Sequence, residues 1–263
     1  TLGATSYICS DKTGTLTKNE MTVVKYYANG FAYAVSGLGY NPSGQISSED
    51  APSISNSQDF LTGAVLCNES SLQKNDHGDY EPLGTPTEVA LTVLGRKAGL
   101  VREKLLQESK IVRTLPFSSS RKMMSVIVKH NDKYTLFTKG APDVLIKHST
   151  GILVADQVEQ SEQARTTFLT TVDHYADDAL RTLAVGQRTL SKEEALHGTT
   201  ESLEQSLVLT GVAGIIDPPR EEVKTSVKTL HNANIEVVMI TGDHEKTARA
   251  IALDLGIIAD KTA

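Results

Sequence analysis

The chain has no tryptophan, 5% aromatic residues and two cysteines among 263 residues. Without tryptophan and with so few other rings, any core must be largely aliphatic. Cys9 and Cys67 lie too far apart in sequence to suggest a disulfide framework, and they read as two reduced, buried thiols of a cytosolic protein. No apolar run approaches the ~20 residues that a membrane-spanning helix needs, and no signal peptide opens the chain. The formal net charge is -6 and no basic stripe is present, which argues against nucleic acid as a partner. The chain is therefore expected to be soluble. It starts with Thr rather than Met, and so reads as an excised piece of something longer. Its length allows one large domain or two ordinary ones, and 39% hydrophobic residues suffice for a core.

What is present is concentrated in a few strings. In "ICSDKTGTLTKNEM", residues 8–21, an apolar run ends abruptly in Asp11, followed by a lysine, threonines and a glycine. Residues 6–10 are expected to form a short buried strand leading into that acid. The stretch 29–58 is rich in Gly, Ser, Asn and Pro and reads as a loose hairpin and a surface loop. In "GTPTEVALTVLGRKAG" a helix is marked by Thr85 as N-cap, Pro86 at its first position and Glu88 closing a T-x-x-E capping box. Val89, Val93 and Leu94 form its apolar stripe, and Gly99 ends it. Residues 123–138 read as a hairpin around His130-Asn131-Asp132. A helix is expected over "SEQARTTFLTTVDHYADDAL", with a strand in "RTLAVGQRTL".

From about residue 207 the pattern becomes strand, helix, strand, helix. "SLVLTGVAGIID" reads as a buried strand, and the next helix is expected to start at its prolines, with Val223, Val227 and Leu230 on one face. "IEVVMITGD" reads as a second buried strand before a helix that Gly256 stops. This is the spacing of an α/β parallel sheet. The simplest topology places the strand ending at Asp11 in one sheet with the strands near 212 and 238, and makes everything between an inserted domain.

Ligands of open parallel sheets lie beyond the carboxyl ends of the strands. Asp11 falls at one such end, and Thr241, Gly242 and Asp243 at another. Two carboxylates meeting there would repel unless a hard divalent cation such as Mg²⁺ lay between them, and the cation would attract a phosphate. Asp11 would then be a nucleophile able to form an aspartyl-phosphate. Gly14 and Gly242 would let backbone N–H groups approach phosphate oxygens, and Lys12 and the threonine hydroxyls would add donors. The plainer alternative is that Asp11 and Asp243 cap turns after their strands.

The strings "DKTGTLT", "KGAP" (139–142), "DPPR" (217–220) and "TGDHEKTARAIA" resemble the cytoplasmic catalytic region of P-type cation-transporting ATPases, the calcium-pump group above all. The likeness runs through the whole chain in the family's order, with weaker support from "GTPTE" and "FSSSRKMMSV". It implies an α/β fold: a partial haloacid-dehalogenase-like phosphorylation domain, residues 1–21 and 213–263, into which a nucleotide-binding domain, 22–212, is inserted on an antiparallel sheet flanked by helices. It implies that Asp11 accepts the γ-phosphoryl group of ATP. The Asp11 carboxylate and the Thr13 carbonyl would help hold Mg²⁺, Thr241 would bond the phosphoryl group, and Asp243 would shape the same pocket. In the inserted domain Phe117 would stack on adenine, Glu88, Lys122 and Lys139 would line the pocket, and Arg181 would reach the phosphates. Asp217 would lie near the hinge between the domains.

Local alternatives stand beside these roles. Glu88 has its capping box, Phe117 could be ordinary core, Lys139 a surface lysine, and Arg181 a cap on the preceding helix. Met123 and Met124 are expected in the core. Thr13 stands where related phosphatases carry a second aspartate, which argues against the competing reading of a stand-alone phosphatase. A nucleotide-binding module that never phosphorylates is the other alternative. Ser119 departs from the arginine usual two residues beyond the stacking phenylalanine, and Arg121 is a possible substitute. The family's later lysine and "GDGxND" string are absent. The isolated chain is therefore expected to bind ATP weakly, to form little phosphoenzyme and to leave an exposed sheet edge. The resemblance further implies a parent integral to a membrane, with this segment on the cytoplasmic side. Its actuator and transmembrane domains would lie elsewhere in the polypeptide, and the transported cation, calcium by overall likeness, would bind in the membrane region.

Overall fold

The computed structural model describes residues 5–242 and 245–259. A large, mostly antiparallel sheet forms the bulk of the molecule. Its strands are β2 (Thr22–Ala28), β3 (Phe31–Val35), β4 (Ile46–Ser47), β7 (Ser109–Ser118), β8 (Met123–His130), β9 (Lys133–Gly140), β10 (Ser149–Val154), β11 (Gln157–Glu159), β12 (Arg181–Leu190) and β13 (Leu207–Ile216). They run in the order β4-β3-β2-β13-β12-β9-β8-β7, and β10 adds to the start of β13 as the one parallel pairing, with β11 folded back on it. A small hairpin of β5 (Ser71–Lys74) and β6 (Tyr80–Leu83) lies apart, and so does a two-stranded parallel sheet of β1 (Tyr7–Asp11) and β14 (Glu236–Ile240).

Alternation along the strands gives the large sheet two apolar faces. One carries Tyr26, Val185 and Ala213, packed under α1 (Gln58–Leu66) and α2 (Pro86–Lys97) through Phe60, Leu61, Leu91 and Leu94. The other carries Ile127, Leu136, Ala184 and Val212, covered by α5 (Glu162–Asp177) through Phe168 and Tyr175. The expected hairpin, the strand 181–190 and the α5 region form as read, and Met123 and Met124 are fully buried. Short helices α3 (Arg102–Glu108), α4 (Pro142–Leu145), α6 (Lys192–His197) and α7 (Thr200–Leu203) connect the strands of the large sheet. Helices α8 (Glu221–Asn232) and α9 (Glu245–Asp254) accompany the small parallel sheet, where Val223, Met239, Ile251 and Leu255 pack on Leu16.

Three expectations need correction. First, the strand near 212 does not join β1. Both of its edges are taken, by β12 on one side and by β10 and β2 on the other. A strand buried on both faces looks the same in sequence whether its sheet is parallel or antiparallel. The strand also runs on to Ile216, which pairs with Thr22, past the boundary expected at 212. Second, β1 and β14 are not buried strands. They alternate, with Tyr7, Val238 and Ile240 on an exposed face, because among the described residues only these two strands build the sheet. Third, α8 starts after the prolines rather than at them. Pro218 and Pro219 stay extended because they bond residues 17 and 18, and Arg220 is the N-cap.

Candidate functional site

The first half of the site lies at the end of the parallel pair. In the observed register Asp11 stands opposite Ile240, so Thr241 and Gly242 leave β14 beside the acid. Asp11 is exposed. Asp243 lies outside the described residues. After Asp11 the chain winds through a tight turn, Lys12–Leu16, broken at Thr13 (ψ 122°) and at Gly14, whose φ of 76° favours glycine. Lys12 is buried at 5% exposure, and its carbonyl accepts from the Thr17 N–H at 3.0 Å.

The "DPPR" segment is stitched to this turn. The Thr17 hydroxyl donates to one Asp217 carboxylate oxygen at 2.6 Å and accepts from the Gly14 N–H at 3.2 Å. Arg220 donates from Nε to the Thr17 carbonyl and from its guanidinium to the Gly14 carbonyl, both at 3.1 Å, while its own N–H bonds Leu16. Asp217 is buried, and among the described residues its second carboxylate oxygen has no hydrogen-bond partner. Sequence reasoning missed Thr17 and Arg220. Both stand in quoted strings, but their partners are some 200 positions away, so no local periodicity could have exposed them.

The second half lies at one end of the large sheet. Lys139 pairs with Met124 on one side and Val185 on the other, so its side chain enters the face under α1 and α2. There the ammonium meets Glu88 of α2's first turn at 2.5 Å, in an ion pair whose side chains are 7% and 14% exposed. The capping box is not formed. Thr85 is the N-cap but makes no side-chain capping bond; the Glu88 carboxylate turns instead to Lys139 and reaches Thr85 Oγ1 only at 3.4 Å. A buried cation offers more than a second cap on an exposed helix end, since an unpaired charge there would be costly. Asn68 holds the Glu88 carbonyl at 2.9 Å.

Gly140, next to Lys139, is pressed against the adjoining turn. A Cβ there would lie 2.6 Å from the Lys122 carbonyl oxygen. Lys122 occupies that turn with φ 53°, and the register opens between Leu115 and Ser118, where Phe117 stands 63% exposed. Phe117 is thus not core. Arg181 opens β12 and reaches Thr87 Oγ1, the neighbour of Glu88, at 3.4 Å; it does not cap α5, whose C-terminus is closed by backbone bonds. Arg181 also lines a cleft of about 250 Å³ with Lys12, Asp217 and Thr247. Among the described residues Arg181 is thus the one residue of the second half on that cleft. Arg121 does not take the place left by Ser119: its guanidinium binds Glu204 on the opposite face of the sheet.

Cys67 lies behind the Lys139–Glu88 pair. Burial pushes its thiol up to about 11, although Lys139 pulls the other way. Cys9, expected to be buried as well, is exposed, because it falls on the open face of the β1–β14 pair. A thiol reagent at pH 8 is expected to titrate one cysteine in the native chain and two in denaturant, with Cys9→Ser silencing the native signal. Rapid native reaction of Cys67 would contradict the packing.

The site thus pairs an exposed acid at the mouth of a parallel sheet with a charged corner of the large sheet that carries an exposed aromatic ring. The P-type ATPase cytoplasmic domain N family model matches residues 56–222. The chain is 41% identical over 264 residues to a calcium-transporting ATPase of Bacillus subtilis, covering 98% of this chain and 29% of that protein. It is 37% identical to a calcium-transporting ATPase of Listeria monocytogenes, covering 98% and 28%, and 36% identical to a cation-transporting ATPase of Synechocystis, covering 98% and 29%. The chain belongs to the P-type ATPase family. Within it the chain is calcium-pump-like, and it spans less than a third of the length of the curated relatives it matches.

Proposed function

We propose that this chain supplies the ATP-binding and phosphoryl-accepting region of a pump that couples ATP hydrolysis to cation transport across a membrane, calcium being favoured by the relatives' names. The observation that carries the proposal is the register of β1 on β14, which puts Asp11 beside Thr241 and Gly242. In this reading β1, β14, α8 and α9 belong to a haloacid-dehalogenase-like phosphorylation domain on the cytoplasmic side, interrupted by a nucleotide-binding domain built on the large sheet. Among the described residues no helix is long and apolar enough to cross a membrane.

Phe117 offers an exposed ring for adenine, and Glu88, Lys139 and Lys122 surround the base and its sugar. Arg181, which lines the cleft shared with Lys12, directs the phosphates toward Asp11. Asp11 attacks the γ-phosphorus as its carboxylate, ADP leaves, and an acyl-phosphate remains. Lys12, Thr241 and the Gly242 backbone stabilise the transferring group; the family resemblance gives Asp243, which lies outside the described residues, a part in the same step. Thr13 in the place of a second aspartate leaves the acyl-phosphate without a local base. Among the described residues no cluster of three His, Cys, Asp or Glu is assembled. A single exposed carboxylate with a neighbouring carbonyl suits Mg²⁺, which keeps several waters and takes few protein ligands. Asp11 and the Thr13 carbonyl would hold it, and when bound the ion neutralises phosphoryl charge.

Equilibrium titration of the chain with ATP tests the nucleotide half. Saturable binding is expected, weakened about tenfold by Phe117→Ala, the range for loss of one stacked base. Indifference to that substitution would remove Phe117 from the site.

A further inference from the structure

We infer that Arg121 and Glu204 are positioning residues for the adenine platform, a role that rests on the nucleotide reading above. Glu204 is 2% exposed. Its carboxylate takes two bonds from one Arg121 nitrogen, at 2.5 and 2.6 Å, and a third from Ser125 at 2.7 Å, while Ser125 and Thr138 share a bond across β8 and β9. Arg121 then uses its other terminal nitrogen to bond the carbonyl of Pro116 at 2.6 Å. Pro116 immediately precedes Phe117, in the stretch where the β7–β8 register breaks between Leu115 and Ser118. Its carbonyl is thus held by a side chain at the point where the ladder shifts.

Apolar packing holds only the two ends of this corner, where Leu115 and Met123 are buried in the core. Between them, on the side of Glu204, residues 120–122 border a cleft of about 340 Å³, and Lys122 carries a left-handed backbone. A buried ion pair is a poor source of net stability, because desolvation offsets its attraction. This one connects a carboxylate anchored under the sheet to the backbone that presents Phe117 and Lys122. It also accounts for Arg121 being turned away from the nucleotide side: the guanidinium braces the platform from beneath instead of contacting the ligand.

The test is ATP binding by the full chain, compared with binding of inorganic tripolyphosphate, which has no base to stack. The double variant Arg121→Met/Glu204→Leu removes both charges together, and a swap of this kind is often neutral for stability. It is expected to keep its thermal midpoint near wild type, lose ATP affinity about tenfold, keep its tripolyphosphate affinity, and cost nothing further in a Phe117→Ala background. Should the double variant fail to fold, Glu204→Gln keeps shape and hydrogen bonding and is expected to lose ATP affinity severalfold with the same dependence on Phe117. Unchanged ATP affinity in these variants, where Phe117→Ala does weaken ATP, overturns the inference. Equal loss of tripolyphosphate, or losses that add to those of Phe117→Ala, overturns it as well. If Phe117→Ala itself has no effect, the stacking reading fails first and this role falls with it.

Discussion

Carried in place of the matching segment of the Bacillus subtilis relative, this chain with Asp11→Asn is expected to give no hydroxylamine-sensitive label from γ-labelled ATP. Steady-state ATP hydrolysis should fall by more than about a thousandfold, as when a group that forms the covalent bond is removed. The change is nearly isosteric and falls on an exposed side chain at the end of β1, so folding should be spared. ATP affinity should hold or rise, since an anion that repels the γ-phosphate has been neutralised. The segment with Asp11 intact is the control. Labelling that survives Asp11→Asn would move the acceptor to another residue and dissolve the proposal. Labelling lost together with ATP binding would point instead to a damaged fold.

The second large effect concerns stability. Lys139→Ala leaves the Glu88 carboxylate, 14% exposed in the intact pair, without its cation in a face packed by α1 and α2. Removing one partner of a buried pair costs about 3–5 kcal/mol, mostly the desolvation of the charge left behind, and urea unfolding should show a loss of that order. Lys139→Met combined with Glu88→Gln should recover most of it, because no net charge remains buried. A loss under about 1 kcal/mol for Lys139→Ala would mean that Glu88 swings out to water, as a surface pair would allow. The same experiment bears on nucleotide binding: if the ammonium contacts the base, the stability-restored double variant should still bind ATP poorly.

The sequence was most informative where the signal is local. The β8–β9 hairpin, α5 and β12 follow from periodicity and turn residues within one segment, and they form where those signals place them. The pairing of β1 with β14 was also legible, because strand-helix alternation after 207 and an acid at each strand end imply a shared edge. What stayed hidden depended on remote partners. Glu88 belongs to a well-formed capping string, yet its carboxylate is claimed by a lysine 51 residues away. Arg121 looks free beside Phe117, and is held by Glu204 83 residues on. The strand at 207–216 misled for another reason. Apolar on both faces and followed by a helix, it satisfies a parallel-sheet pattern equally well, and only the identity of its neighbours decides.

The register that sets Ile216 against Thr22 has a consequence for how the molecule assembles. Strands β1 and β14 are separated by nearly the whole chain, and closing so long a loop for one short parallel ladder is entropically unfavourable. Once β2 zips along β13, the tails leaving those strands emerge together, and only a short span on each side remains to be closed. The small sheet is therefore a dependent structure, forming late and melting first. Mutations that loosen the large sheet should disperse the mouth around Asp11 as well, whereas damage at that mouth should leave the large sheet standing.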